Sequence, residues 1–182
     1  MANMIQKNTR ELYQQLRSEV IGVHYHWKIF RQLFFSQEVV NLLNNSAERF
    51  FFVLRLDLLD LIPLGLGRLT DSSMTLNKYP NVTLEQLIDS LDPNSHSELI
   101  VVLREGLADI RSKCVRIENW RNKWAAHRDF NTVIEPITKI GFSPAEVETV
   151  LAALRSFMNE FERVCQDTNM TYILIPSPKI ER

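Results

Sequence analysis

The sequence predicts an all-α protein, a bundle of four or five helices around one domain-wide core, with at most a short strand near its C-terminus. Three observations carry this. Only five glycines interrupt 182 residues. Long stretches repeat their apolar residues at the helical interval of three and four positions. Clear helix-start signals, at Thr83 and in "SPAE" (143–146), stand ahead of such stretches. A chain of this length fills one domain, 1–182, with residues 168–182 as an extended appendage.

Taken in order, residues from about Asn3 to Phe35 form a first long helix, with Leu12, Leu16, Val20, Val23, Trp27 and Phe34 on one side. The shorter element "QEVVNLLNN" follows. Ser46 then reads as the N-cap of a second long helix reaching Leu69, kinked at Pro63 because proline removes a backbone hydrogen bond. Residues 71–82 are a polar loop, and Thr83 caps the short helix "LEQLIDSL". From Ser97 a third long helix runs to about His127, roughly 45 Å if unbroken. Gly106 is a place for it to bend. "SPAE" supplies a serine cap with proline at the first helical position, starting a helix that reaches about Asp167. The β-prone run "TYILI" (171–175) lies in the tail.

Composition narrows function. A formal net charge of −1, with 45% hydrophobic and 24% charged residues, argues against a chain that coats nucleic acid indiscriminately, though it permits a local basic patch. Cys114 and Cys165 are far apart, with no CxxC and no histidine pair at metal spacing, so two reduced cysteines are expected. Neither a metal nor a cofactor is implied. The N-terminus is broken by Asn3, Gln6, Lys7, Arg10 and Glu11, which prevents a secretory apolar region. The most apolar run, 50–67, contains Arg55, Asp57 and Asp60, which suits a buried helix better than a membrane span. A soluble, cytoplasmic protein without membrane contact is the expectation.

The stretch "NWRNKWAAHRDF" (119–130) is the most informative. With Ile110 as the zero of a helical wheel at about 100° per residue, Leu99, Leu103, Cys114 and Ile117 fall within about 40° and define the apolar stripe. Arg121 falls at about 20°, inside it. A guanidinium on the core-facing side keeps its proton and therefore needs an anion or a shielded polar cavity. His127 projects at about 100°, along the edge that carries Trp120 and Trp124. Residues 111–128 hold six basic side chains against one acid, Glu118, a bias that the helix dipole explains in part. On residue physics alone two readings stand. Either this is an exposed basic helix end, with Arg121 bridged to Asp57 or Asp60, or it is a site for phosphate groups.

"RNKWAAHRD" resembles the signature of the HEPN superfamily: an arginine, usually a polar residue next, and a histidine after four to six intervening positions. Five residues separate Arg121 from His127, and Asn122 occupies the polar slot. "HYHWKIFRQLF" (24–34) and "RLTD" (68–71) resemble the AbiU-like branch, associated with bacterial abortive infection of phage, and the similarity covers most of residues 12–165. The resemblance implies a metal-independent ribonuclease whose two arginine–histidine motifs face each other in a homodimer. It makes RNA the substrate and leaves room for a cognate antitoxin protein. It implies Arg121 as the phosphate grip and His127 as general acid or base. Asn122 would orient, Lys123 and Arg128 would hold neighbouring phosphates, and Asp71 would be an accessory. The alternative is a non-catalytic HEPN helical module that dimerises and binds RNA, a nucleotide or a protein.

Other residues read more plainly. His24 and His26, two apart on a helix, point to nearly opposite sides and serve packing or surface. Asp57 and Asp60 are charge partners for Arg55, Arg68 or Arg121. Trp120 and Trp124 are best placed at a dimer interface.

Overall fold

The computed structural model describes residues 7–76, 78–122 and 141–165. Among them are five α-helices and one two-stranded ribbon. Helix α1 (Lys7–Phe34) buries Tyr13, Leu16, Val20, Val23, Trp27 and Phe30, a three-and-four spacing that forms one apolar face. Helix α2 (Gln37–Thr70) folds back along it: Arg68 reaches Glu19 at 3.1 Å, and Gly65 lets Val23 pack so close that an added Cβ would sit 2.6 Å from it. Helix α3 (Leu84–Asp89) is short. Helices α4 (Pro93–Trp120) and α5 (Pro144–Cys165) lie antiparallel, joined at one end by Arg116 and Glu146 at 2.9 Å. One hydrophobic core runs through all five.

The caps explain where the elements begin. Thr83 accepts from the Gln86 N–H at 3.1 Å, as the sequence suggests. Ser143 and Glu146 form a reciprocal capping box, the serine hydroxyl accepting from the Glu146 N–H and the glutamate accepting from the Ser143 N–H at 2.5 Å. Those contacts hold the Glu146 carboxyl below its ordinary range, the Ser143 N–H more than any other.

Four local readings are corrected. Ser46 is not a cap: its hydroxyl donates back to the Leu42 carbonyl, and the cap of α2 is Ser36. The break expected there is real but falls at Ala47, which leaves helical angles at φ −160°, ψ 66°. Pro63 sits in a helix whose only interior departure is Ala47. Helix α4 starts at Asp92–Pro93, four residues before Ser97, because the Asp92 carboxylate accepts from the Asn94 N–H and the Ser95 hydroxyl; His96, at φ −131°, ψ 25°, interrupts that first turn. Gly106 stays helical and instead gives Phe157 of α5 room to approach.

The polar loop at 71–82 contains an antiparallel ribbon, β1 (Met74–Thr75) paired with β2 (Tyr79–Pro80), with Leu76 at φ 52° in its turn. Two residues per strand leave no alternation for a sequence to display. The Asn81 amide and the Thr75 hydroxyl brace it. The expected strand at 171–175 and the tail lie outside the described residues. No described helix is long and apolar enough to cross a membrane.

Candidate active site

Arg121 continues the buried stripe of Ile110, Cys114 and Ile117, all fully enclosed, and its side chain is only 19% exposed. The wheel placed it correctly. The helix widens into a π-helical turn at 121–122, a distortion often found where a helix presents a functional group. The guanidinium lies against the last turn of α2. A Cβ built on Gly67 would stand 1.8 Å from Arg121 Nη1 and 2.7 Å from Cζ. Glycine is thus required there for space, and only the absence of a side chain lets the arginine lie flat on that turn.

Its carboxylate partner is Asp71, at 3.4 Å from Nη1, and not Asp57 or Asp60. Asp57 is exposed on a different part of α2. The Asp71 contact is long and the aspartate is 53% exposed, so the pair orients the arginine without sealing it off from solvent. Arg121 Nε donates to Asn122 Oδ1 at 3.2 Å. Among the described residues Nη2 has no partner, leaving an edge of the guanidinium for a two-pronged anion contact.

Asp71 is itself held firmly. It caps α2, its N–H donating to the Gly67 carbonyl at 2.8 Å. Arg111 of α4 then reaches over: Nε donates to the Thr70 carbonyl at 3.0 Å, Nη2 to the Asp71 carbonyl at 3.3 Å, and Nη1 to Glu85 at 3.1 Å. Two of the orphan carbonyls at a helix C-terminus are thereby satisfied by a cation, which the dipole also favours. Glu85 receives the Ser73 N–H at 2.7 Å on its other oxygen. Arg111 first, and Ser73 second, keep the Glu85 carboxyl below its ordinary range. The Thr70 hydroxyl lies 2.9 Å from the Leu66 carbonyl and 3.2 Å from Glu118, tying α2 to α4 again.

These groups line an open groove of about 660 Å³ bounded by Thr70, Asp71, Ser72, Glu85, Arg111, Ser112, Val115, Glu118 and Arg121. The structure therefore brings together Arg121, Asn122 and Asp71 from the sequence-derived set. His127, Lys123, Arg128 and Trp124 lie outside the described residues. Trp120 is half-buried, its ring edge-on to Phe142 at 6.0 Å and close over Gly141, so part of its aromatic surface is covered within the chain. Sequence reasoning missed Gly67 and Arg111. The signal for Gly67 was its place four residues before Asp71, which puts both on one helix face; Arg111 carried no local signal.

His24 behaves as a packing group. His24 Nδ1 lies 2.8 Å from the Val20 carbonyl and Nε2 3.0 Å from Arg155 Nη1. Arginine can only donate, so Nε2 carries the lone pair and the ring is neutral. Burial, foremost, holds its pKa below the ordinary 6.5. Burial likewise pushes the thiols up, Cys114 to about 12 and Cys165 to about 11, and both are free. Among the described residues no three His, Cys, Asp or Glu side chains are grouped to hold a metal.

The family described as AbiU2, HEPN_AbiU2, matches residues 6–177. No curated protein and no solved structure matches significantly.

Proposed function

We propose, from the premise that the chain belongs to the AbiU2 family of the HEPN superfamily, that it is a metal-independent ribonuclease acting as an effector of phage abortive infection or of a toxin–antitoxin pair. The observation that supports this best is the seating of Arg121: core-directed, fitted over Gly67, oriented by Asp71, with Nη2 unpartnered among the described residues, and followed six positions later by His127.

The chemistry asks little more of a protein. RNA carries its own nucleophile in the 2′-hydroxyl. His127 takes its proton as general base, the 2′-oxygen attacks the adjacent phosphorus, and the bond to the 5′-oxygen breaks as the protonated imidazole returns that proton to the leaving oxygen. Arg121 stabilises the charge that accumulates on the phosphorane oxygens. The products are a 2′,3′-cyclic phosphate and a 5′-hydroxyl. A second copy would place its own Arg121 and His127 across the same cleft, with Lys123 and Arg128 holding flanking phosphates.

The test is cleavage of RNA by the purified protein in EDTA. It should be lost in Arg121→Ala and in His127→Ala, and poorly restored by Arg121→Lys, because a point charge cannot replace a planar fork. Variants that cut as fast as wild type would move the site elsewhere.

One observation favours the non-catalytic module instead. Arg121 already has a carboxylate neighbour, and the groove's other arginine is spent on Glu85 and two carbonyls. Under that reading Arg121→Ala weakens RNA binding or folding while wild type itself never yields a cyclic phosphate.

A further inference from the structure

The chain that leaves α2 rises beside the Arg121 groove as a braced ribbon. Two residues per strand do not hold a hairpin in water by themselves. Side chains supply the rest. Asn81 bonds three ways: its N–H donates to the Ser73 carbonyl at 2.9 Å, its Nδ2 to the Ser72 carbonyl at 3.0 Å, and its Oδ1 accepts from the Thr75 hydroxyl at 2.9 Å. The Ser72 hydroxyl donates to the Met74 carbonyl at 2.9 Å. Glu85 accepts the Ser73 N–H, and Arg111 fixes Glu85 in turn. The clamp that sets Asp71 against Arg121 thus also sets the ribbon.

What these bonds hold up is not an ordinary solvated turn. Leu76 is 86% exposed and Tyr79 57%. Lys78 Nζ lies over the Tyr79 ring, 5.4 Å from its centroid, and makes no ion pair among the described residues. Residues 71–82 carry two charges, Asp71 and Lys78, and Asp71 is turned to Arg121, so the outer ribbon is cationic. Its root belongs to the groove: Asp71 and Ser72 line it beside Arg121. Tyr79 pairs with Thr75, which no more than about 14 Å of backbone separates from Asp71. An aromatic ring and a cation therefore stand along one line from the guanidinium, at a spacing that the neighbouring nucleotides of a strand can bridge.

We infer that the ribbon is a nucleotide-binding subsite of the Arg121 groove, in which Tyr79 stacks on an unpaired base and Lys78 meets a phosphate next to it. Every base has a π-face, so such a ring takes many sequences, but only from a single strand, because the bases of a duplex are already stacked on one another. The ammonium over the ring strengthens the match: it leaves the opposite face for the base and brings a positive charge to the backbone beside it. The inference rests on the reading of Arg121 as a phosphate grip and adds to it a preference for single-stranded RNA.

The experiment is fluorescence anisotropy of the full chain with a short labelled single strand of mixed sequence carrying 2′-O-methyl groups, which has no nucleophile and cannot be cut. In Tyr79→Ala the dissociation constant should rise by roughly 5- to 150-fold, the range that one base–aromatic stack spans. Tyr79→Phe should bind as wild type does, because the ring and not the hydroxyl makes the stack. The duplex of the same sequence should bind wild type and Tyr79→Ala equally. In Lys78→Ala the slope of log affinity against log salt should become shallower by about 0.7, the share of one phosphate on a single strand. An abasic strand of the same length should bind wild type as weakly as the intact strand binds Tyr79→Ala, a measurement that needs no variant to fold. Unchanged affinity in Tyr79→Ala overturns the inference and would leave the ribbon to a protein partner. An equal loss for duplex and single strand overturns it too, as does a Tyr79→Phe protein as weak as Tyr79→Ala, since either makes the tyrosine structural. A wild type that binds no single strand fails it outright. Binding and cleavage are read apart. A chain that binds through Tyr79 and never yields a cyclic phosphate fails the ribonuclease reading alone, whereas a Tyr79→Ala protein that cuts RNA with unchanged kcat and KM fails this inference alone.

Discussion

The two ends of helix α2 are built on opposite principles. At its C-terminal end every charge has a counterpart: Arg68 with Glu19, Asp71 with Arg121, and the last carbonyls with Arg111. Space is allotted atom by atom, so that glycine alone fits at 67. At its N-terminal end the same helix carries phenylalanines into solvent, and among the described residues its charges are unmatched. At the first end the arginine is seated by groups of its own chain, as a side chain that must be held to a fraction of an ångström has to be. The second end is an exposed apolar surface. A substitution at the first end should act on geometry and stability together, and one at the open end should leave both nearly unchanged.

The largest effect expected is at Gly67. In Gly67→Ala the new methyl would overlap Arg121 Nη1, so the guanidinium must leave the turn and Asp71 with it. RNA cleavage should fall by about 100-fold or more, as when one transition-state contact is removed, with a stability cost of ~1–3 kcal/mol from overpacking. Gly22→Ala is the control, since nothing lies within 4 Å of its added Cβ. It should stabilise α1 by ~0.5–1 kcal/mol and leave cleavage unchanged. Urea unfolding and a cleavage assay on both proteins decide it. Equal rates for Gly67→Ala and wild type would mean that Arg121 does not work from this position.

Arg111→Ala comes next. It strips the Thr70 and Asp71 carbonyls of their donor and leaves Glu85 with the Ser73 N–H alone. The clamp is partly exposed, about a third on each side chain, so its ion-pair component is small and the loss of ~1–2 kcal/mol comes mainly from the carbonyls. Cleavage should fall less than in Gly67→Ala, because Asp71 keeps its backbone cap to Gly67. Glu85 gives the same clamp a pH signature. Its depressed folded-state pKa contributes stability present above the ordinary 4.5 and lost as pH falls through the lower folded value, so wild type and Glu85→Gln should converge in acid.

How much of this was legible in the sequence depends on how far the cause lay from the effect. The stripe Leu99, Leu103, Ile110, Cys114, Ile117 and the projection of Arg121 onto it follow from local periodicity, and the structure buries every one of the five apolar residues. Thr83 and "SPAE" are local signals too, and both caps form. The partner of Arg121 could not be read, because Asp71 is fifty residues away and Asp57 and Asp60 differ from it only in which turn of α2 they occupy. Ser46 misled because serine in a helix can donate to the carbonyl four back as readily as it caps, and only the backbone at Ala47 tells which. Arg111 was counted among basic residues at a helix end. Its role depends on three acceptors brought in by two other elements.

A third prediction separates the ends of the molecule by pH. His24 is neutral when folded and its pKa is lowered, chiefly by burial, while the unfolded chain protonates near 6.5. Between the folded value and 6.5 the unfolded state binds more protons, so stability falls as pH drops through that window. His26 shifts in the same direction through burial and Arg68. In urea titrations between about pH 5 and 8, His24→Gln should flatten the slope noticeably, since the amide cannot charge. An unchanged slope would locate the dependence in other groups.

The smallest expected effect is at the open end, and its smallness is the point. Arg49→Ala and Glu48→Ala remove charges with no counterpart among the described residues, in helix positions where alanine is the better former. Measured on dilute monomer, each should change the unfolding free energy by no more than about 0.5 kcal/mol, the ordinary range for a surface substitution away from any specific contact. Arg116→Ala, which breaks a pair with Glu146 at the N-terminus of α5, should cost slightly more on the same scale. If Arg49→Ala instead destabilises the dilute monomer as much as Arg111→Ala does, the charges at the open end have partners within the chain. The two ends of α2 would then not differ in the way their exposed side chains indicate.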